Sequence, residues 1–198
     1  MVRFIKTALA LTTAFALAVS CTACGDKNDE DNSNDTITTY TNSEEILSLI
    51  WDSFEDDKKF PVGGGDDNHF NMEGPGEYSI EDGEALDNML GLPTSLSDKL
   101  ENSASLIHAM NQNTFTCAAY RFKDGTDIEK AVSQIKSNIL ARRWICGFPD
   151  SLVIITAPNN YIISVWGIDN GTGIVTEFKA AVKEAVNGAQ VIVNEPIV

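Results

Sequence analysis

Histidine is scarce in this 198-residue chain, which has only His69 and His108. Serine–histidine nucleophilic catalysis needs one of them oriented by an acid and placed beside a serine. No Gly-x-Ser-x-Gly elbow occurs. Basic residues are few: 14 Lys and Arg face 29 Asp and Glu, for a net charge of -15. That balance excludes nucleic acid as a partner, because neutralising phosphates takes clustered Lys and Arg. It also excludes added electrostatic attachment to an anionic membrane surface. Gly63-Gly64-Gly65 is not followed by Gly-Lys-Ser/Thr and has acidic neighbours, so it is no phosphate loop. Long apolar runs are lacking as well. The stretch from Ala8 to Val19 is about a dozen residues, against the ~20 of a spanning helix.

What that short stretch does have is the flanking of an export signal. Arg3 and Lys6 precede it, and Ala18-Val19-Ser20 lead into Cys21. A basic start, a short apolar core and small residues before a cysteine resemble a bacterial lipoprotein signal with its lipobox. Lipid attachment is therefore expected at Cys21, with Cys24 as the alternative. The Cys21-x-x-Cys24 spacing also matches a redox motif, but that motif belongs near a βαβ pattern and not at the end of a signal peptide. The expected address is the extracytoplasmic face of the cell membrane, held there by an N-terminal lipid.

Four segments follow from this reading: a signal peptide at 1–20, a lipid-anchored acidic disordered tether at 21–42, a helical and loop region at 43–100, and an α+β unit at 101–198. The last two are expected to pack as one globular domain. Loss of Arg3 and Lys6 with the signal leaves 29 acidic against 12 basic residues, a charge near -17. From Asp26 to Asp98 there are 20 acidic and 3 basic residues, and from Lys99 onward 9 of each. The acidic half reads as a solvated spacer or as a surface for a basic partner. The segment before Asn42 has almost no apolar residues and cannot repay its ordering entropy.

Ser43 to Phe54 carries Ile46, Leu47, Ile50, Trp51 and Phe54 at helical spacing, with Asn42 or Ser43 as cap. A flexible loop follows at Gly63–His69, then a short helix from Ser79 to Leu90 stopped by Gly91 and Pro93. Ser105–Met110 and Thr114–Phe122 read as strands. Thr126 and Glu129 fit a capping box before a helix through Ile139 and Leu140. Leu152–Thr156 and Tyr161–Trp166 are strands joined by Pro158-Asn159-Asn160. Thr172 precedes a last helix, and Val191–Val193 a last strand. The order ββαββα predicts an α+β fold: a mainly antiparallel sheet with helices on one face, ferredoxin-like in layout, after an N-terminal helical region.

The lipobox, the acidic tether, Tyr120-Arg121-Phe122-Lys123-Asp124, the Ile128–Arg143 helix and the Tyr161–Asp169 strand together resemble a family of small lipoproteins of anaerobic Gram-positive bacteria. The resemblance covers roughly residues 46–186. It implies an address and a domain shape, and no reaction, cofactor or site residue.

Chemistry-bearing clusters are thin. Asp66, Asp67, Asn68, His69 and Glu73 lie close together, but the EF-hand spacing for calcium is absent and one histidine is little for zinc. No metal and no cofactor is expected. Glu81, Asp82 and Glu84 sit where a helix start wants acids. Cys117 and Cys146 either form a disulfide, which an exported location permits, or remain as two buried thiols. Trp144 and Phe148, in a loop after Arg142-Arg143, form a candidate recognition loop. The expectation is a non-enzymatic binding module for a protein, an envelope component or a small solute. The alternative is an accessory lipoprotein that captures a small amphipathic solute for a transport system, and a hydrolytic enzyme comes third.

Overall fold

In a computed structural model, the structure describes residues 40–170 and 172–198. The signal segment, Cys21, Cys24 and most of the tether lie outside the described residues. The chain enters at Tyr40, which is buried and packs edge-on against Tyr161 with ring centroids 6.1 Å apart. Asn42 caps the first helix, its Oδ1 accepting from the Glu45 N–H at 2.8 Å. Tyr40 to Asn42, expected within the tether, belong instead to the domain, because an aromatic ring and a cap have partners to meet there.

Helix α1 (Ser43–Asp52) buries Ile46, Leu47, Ile50 and Trp51. Two short strands, β1 (Val62–Gly63) and β2 (Gly76–Tyr78), follow. The second helix begins at Gly83, later than expected, as α2 (Gly83–Ala85), and widens into a π turn over Leu86–Leu90. Asp82 caps it by accepting from the Glu84 and Ala85 N–H groups, each at 3.0 Å. Gly91 ends it at φ 74, the left-handed conformation glycine adopts freely. A further turn, α3 (Thr94–Ser97), precedes the long strands β3 (Leu100–His108) and β4 (Phe115–Phe122). Then come α4 (Ile128–Leu140), β5 (Ser151–Ala157), β6 (Tyr161–Gly167), α5 (Ile174–Ala185) and β7 (Gln190–Pro196).

The α+β class and the antiparallel sheet are as the sequence predicts. The strands order as β1-β3-β4-β6-β5-β7, with β2 also on β3, and every pairing is antiparallel. Two details of the prediction are corrected. The helices cover both faces of the sheet, not one. Phe115, Cys117, Ala119, Ile163 and Val165 face α1 and α5. Ala118, Tyr120, Phe122, Ile162 and Trp166 face α4 and the π turn. Every residue of β6 is buried, so both of its faces need cover.

The second detail is the layout, and its reason is topological. Strand β4 connects through α4 to β5, skipping β6; β6 connects through α5 to β7, skipping β5. Both are split β-α-β units, as in a ferredoxin-like layout. Here the second unit moves across the sheet in the same direction as the first, from a strand running the opposite way. Crossovers share one hand, so the two helices must fall on opposite faces. In a ferredoxin-like sheet the second unit doubles back beside the first strand. That place, next to β4, is taken by β3.

Local caps also differ from the expected ones. Asp127, not Thr126, caps α4 by accepting from the Lys130 N–H at 3.0 Å. The Thr126 hydroxyl instead donates to the Lys123 carbonyl at 2.8 Å. At α5 the flanking residue is Gly173, and Asp169 reaches the first turn, accepting from Thr176 N–H at 2.9 Å and from its hydroxyl at 2.7 Å. A carboxylate answers unpaired amides and the helix dipole together. Strand β3 begins at Leu100, five residues before the expected start. Its Asn102 sits at a register shift, and its Oδ1 accepts from Ser43 N–H at 2.8 Å and Ser43 hydroxyl at 2.7 Å. That side chain ties α1 to the sheet. The region 43–100, expected to be helical and looped, thus also supplies two edge strands.

Candidate functional site

Between β1 and β2 the chain makes an excursion across the end of β3. Gly64 forms two backbone hydrogen bonds with Asn71, each 2.9 Å. A Cβ on Gly64 would collide with the Ser105 carbonyl and the Gly76 amide, so only glycine allows this close approach. The Gly63–Gly65 segment expected as a flexible loop is therefore a paired backbone crossing. Gly65 N–H is fastened in turn to the buried Ser105 hydroxyl at 2.9 Å.

Asp66 is the hub of this excursion. Its Oδ1 accepts from the N–H groups of Asn68 and His69 at 2.9 and 3.0 Å and pairs with His69 Nδ1 at 2.9 Å. Its Oδ2 accepts from Ser79 N–H at 2.7 Å. Burial works against its ionisation, but hydrogen bonds from Ser79, Asn68 and His69 prevail and hold the carboxyl below its ordinary value. With its oxygens so engaged, Asp66 fastens the loop and is not free for a ligand. Among the described residues no three His, Cys, Asp or Glu side chains are grouped to hold a metal ion.

The excursion, β2, the start of α2 and the end of β3 enclose a cleft of about 810 Å3. Its apolar lining includes Phe70, Met72, Met89 and Ile107. Phe70 is 65% exposed and Met72 75% exposed, unusual for large apolar side chains without a partner. Its carboxylates are Asp66, Asp67, Glu81 and Asp82, and no lysine or arginine lines it. Tyr78, nearly buried, has its hydroxyl pushed up by burial and by the negative charges of Asp66, Asp82 and Asp67.

His108 borders the cleft at the end of β3 and stacks on Phe60, with ring centroids 5.6 Å apart and planes at 13°. Burial lowers its pKa, and its Nδ1 accepts from the Met110 N–H at 3.2 Å. Among the described residues neither histidine is hydrogen-bonded to a serine, threonine or cysteine side chain. The arrangement can hold a molecule; it shows no activated nucleophile.

The candidate recognition loop divides. Trp144 turns inward: its ring lies 6.1 Å from Trp166, and the Arg142 guanidinium sits 5.4 Å from each ring. Arg142 also donates to the Asp87 and Asn88 carbonyls of the π turn at 2.8 and 2.6 Å. Trp144 is thus committed to packing, because a guanidinium pinned to backbone carbonyls gives it a face to cover. Phe148 turns outward and is 75% exposed, and Ile145 beside it is exposed too. Asn113 Nδ2 donates to the Ile145 and Gly147 carbonyls at 2.7 and 3.1 Å, fixing the loop.

The Cys117–Cys146 disulfide does not form. Cys117 lies fully buried on the α1/α5 face of the sheet, while Cys146 is exposed on the loop at φ 64. The alternative of two buried thiols holds only for Cys117. Cys21 and Cys24 lie outside the described residues.

Sequence reasoning missed the cleft. The signal was the presence of Phe70 and Met72 in an otherwise polar glycine-rich loop, where a solvated segment has no use for them. No family model, curated protein or solved structure matches the chain.

Proposed function

We propose that this chain is a lipid-anchored, extracytoplasmic binding domain that holds a small solute in the cleft between the β1–β2 excursion and α2. The observation that carries the reading is the cleft itself: about 810 Å3, within the range of small-molecule sites, with exposed Phe70, Met72 and Met89 beside a few polar groups. The address rests on the sequence of the first 24 residues, including Cys21 and its alternative Cys24. A tether behind such an anchor keeps a solute-binding domain at high local concentration near a membrane partner. Capture for a transport system fits this use. The small-lipoprotein resemblance agrees with it and adds no ligand.

The test is a small-molecule library screened against the full-length chain by thermal shift, repeated on Phe70→Ala and Met89→Ala. Solutes that raise the melting temperature of the parent and not of the variants support the cleft. Shifts that survive both substitutions would place binding elsewhere and sink the reading.

A second reading, a protein-binding surface, rests on Met110, Ile145 and Phe148. These are all highly exposed, and Asn111 draws their loops together by donating to the Cys146 carbonyl at 3.0 Å.

A further inference from the structure

Resting on the cleft-binding reading, we infer that the ligand is an organic cation: a small solute whose amine or quaternary ammonium faces Asp67 and Glu81 and whose apolar part lies on Phe70, Met72 and Met89.

Charge sets the sign. The cleft is lined by carboxylates, by His108, whose pKa burial lowers, and by no lysine or arginine. Asp66 is consumed by four hydrogen bonds within its own loop. Asp67 and Glu81 are different: both are exposed, and neither carboxylate accepts a hydrogen bond or an ion pair among the described residues. Two exposed, unpaired carboxylates lining the cleft set a negative potential on whatever enters. Burial first, and then the charges of Asp66, Asp82 and Asp67, push up the hydroxyl of Tyr78, which also lines the cleft.

The apolar wall sets the class. A calcium ion wants six to eight oxygen ligands converging at short range, and no such grouping exists among the described residues. An inorganic cation would also gain nothing from Phe70, Met72 and Met89. An anion would meet only like charge. A neutral apolar solute would use the wall and leave Asp67 and Glu81 idle. An organic cation uses both, since its alkyl or aryl part buries apolar area while its charge pairs with the carboxylates and, when quaternary, also suits an aromatic face.

The experiment titrates the full-length chain in phosphatidylcholine vesicles with three probes of similar size: benzyltrimethylammonium, benzyl alcohol and phenylacetate. Binding is read by calorimetry, with vesicles alone as the blank. The cation should bind at least about tenfold more tightly than the alcohol, a difference of one decade in Kd, and phenylacetate should bind most weakly. In Asp67→Asn/Glu81→Gln the cation's advantage should vanish while benzyl alcohol binds as before. Both positions are exposed, so this variant retains the fold, which its unchanged thermal melt will verify. Phe70→Ala/Met72→Ala should weaken the cation and the alcohol together. Equal binding of cation and alcohol to the parent chain overturns the charge inference and leaves the cleft reading standing. A cation advantage that persists in the double carboxamide variant overturns it likewise. Binding of no probe, or binding indifferent to Phe70 and Met72, overturns both.

Discussion

The hydroxyl of Tyr120, fully buried on β4, donates to the carbonyl of Leu90 at 2.7 Å. This single bond closes the π turn onto the sheet. A π turn leaves its carbonyls displaced from the regular helical ladder, so a buried one needs another donor. Burial raises the Tyr120 pKa, which keeps the donor protonated across the accessible pH range. Tyr120→Phe should therefore lower stability by about 1–2 kcal/mol, the cost of an orphaned buried carbonyl. Urea unfolding measures this. A loss indistinguishable from zero would mean that the carbonyl finds water instead. Because Met89 precedes Leu90, the same variant should also change solute affinity at the cleft.

Asp66 makes the domain sensitive to acid. Its folded-state pKa lies below its ordinary value, so the folded state binds fewer protons at this site than the unfolded chain. The associated stability is fully present above the ordinary carboxylate pKa and is lost as pH falls through the depressed one. Asp66→Asn should cost about 1–3 kcal/mol at neutral pH, because charge-assisted bonds are replaced by weaker ones. The penalty should shrink on acidification below about pH 4. Parallel urea titrations from neutral to acid pH decide it; a penalty constant across that window would refute the role given to the carboxylate.

Trp144 and Phe148 should behave oppositely. Trp144 packs on Trp166 and shares Arg142 with it, so Trp144→Ala should destabilise the fold by about 2–3 kcal/mol through the cavity it leaves. Phe148→Ala, at an exposed position, should change stability by no more than about 0.5 kcal/mol. Thermal and urea melts of the two variants give the comparison. Equal effects would contradict the division of the loop.

The two body thiols should differ in reactivity. In a background lacking Cys21 and Cys24, a disulfide-exchange reagent should label Cys146 quickly in the native state. Cys117, whose thiol is pushed up by burial, should react only on unfolding. One fast thiol and one slow thiol is the expected count. Two unreactive thiols in the native chain that remain unreactive on unfolding without reductant would indicate a bridge.

Much of the fold was legible in local sequence. Strands β4, β5 and β6 and helices α1, α4 and α5 follow from periodicity alone, and Asn159 and Asn160 do adopt φ 63 between β5 and β6. Caps were less legible. Asp127 and Thr126 are both good N-cap residues, and which one takes the role is set by where the chain leaves β4. The site was least legible of all. Phe70, Tyr78, Glu81, Met89 and His108 are spread over some forty residues, and only the pairing of β1 and β2 with β3 gathers them.

The sequence by itself determined the class of elements, the antiparallel hairpins and the excess of negative charge, because these depend on residues near one another along the chain. The lipobox reading of Cys21 and Cys24 belongs to the same local kind. Only the tertiary structure decided that the helices divide between the two faces of the sheet. The direction of a crossover depends on which strands become neighbours, and no local pattern encodes that. It likewise decided that Cys117 and Cys146 stay apart, that Trp144 packs inward, and that scattered carboxylates and apolar side chains share one cleft. Each of these is a relation between segments distant in sequence, fixed by the register of β3 and β4 and not by the residues' own propensities.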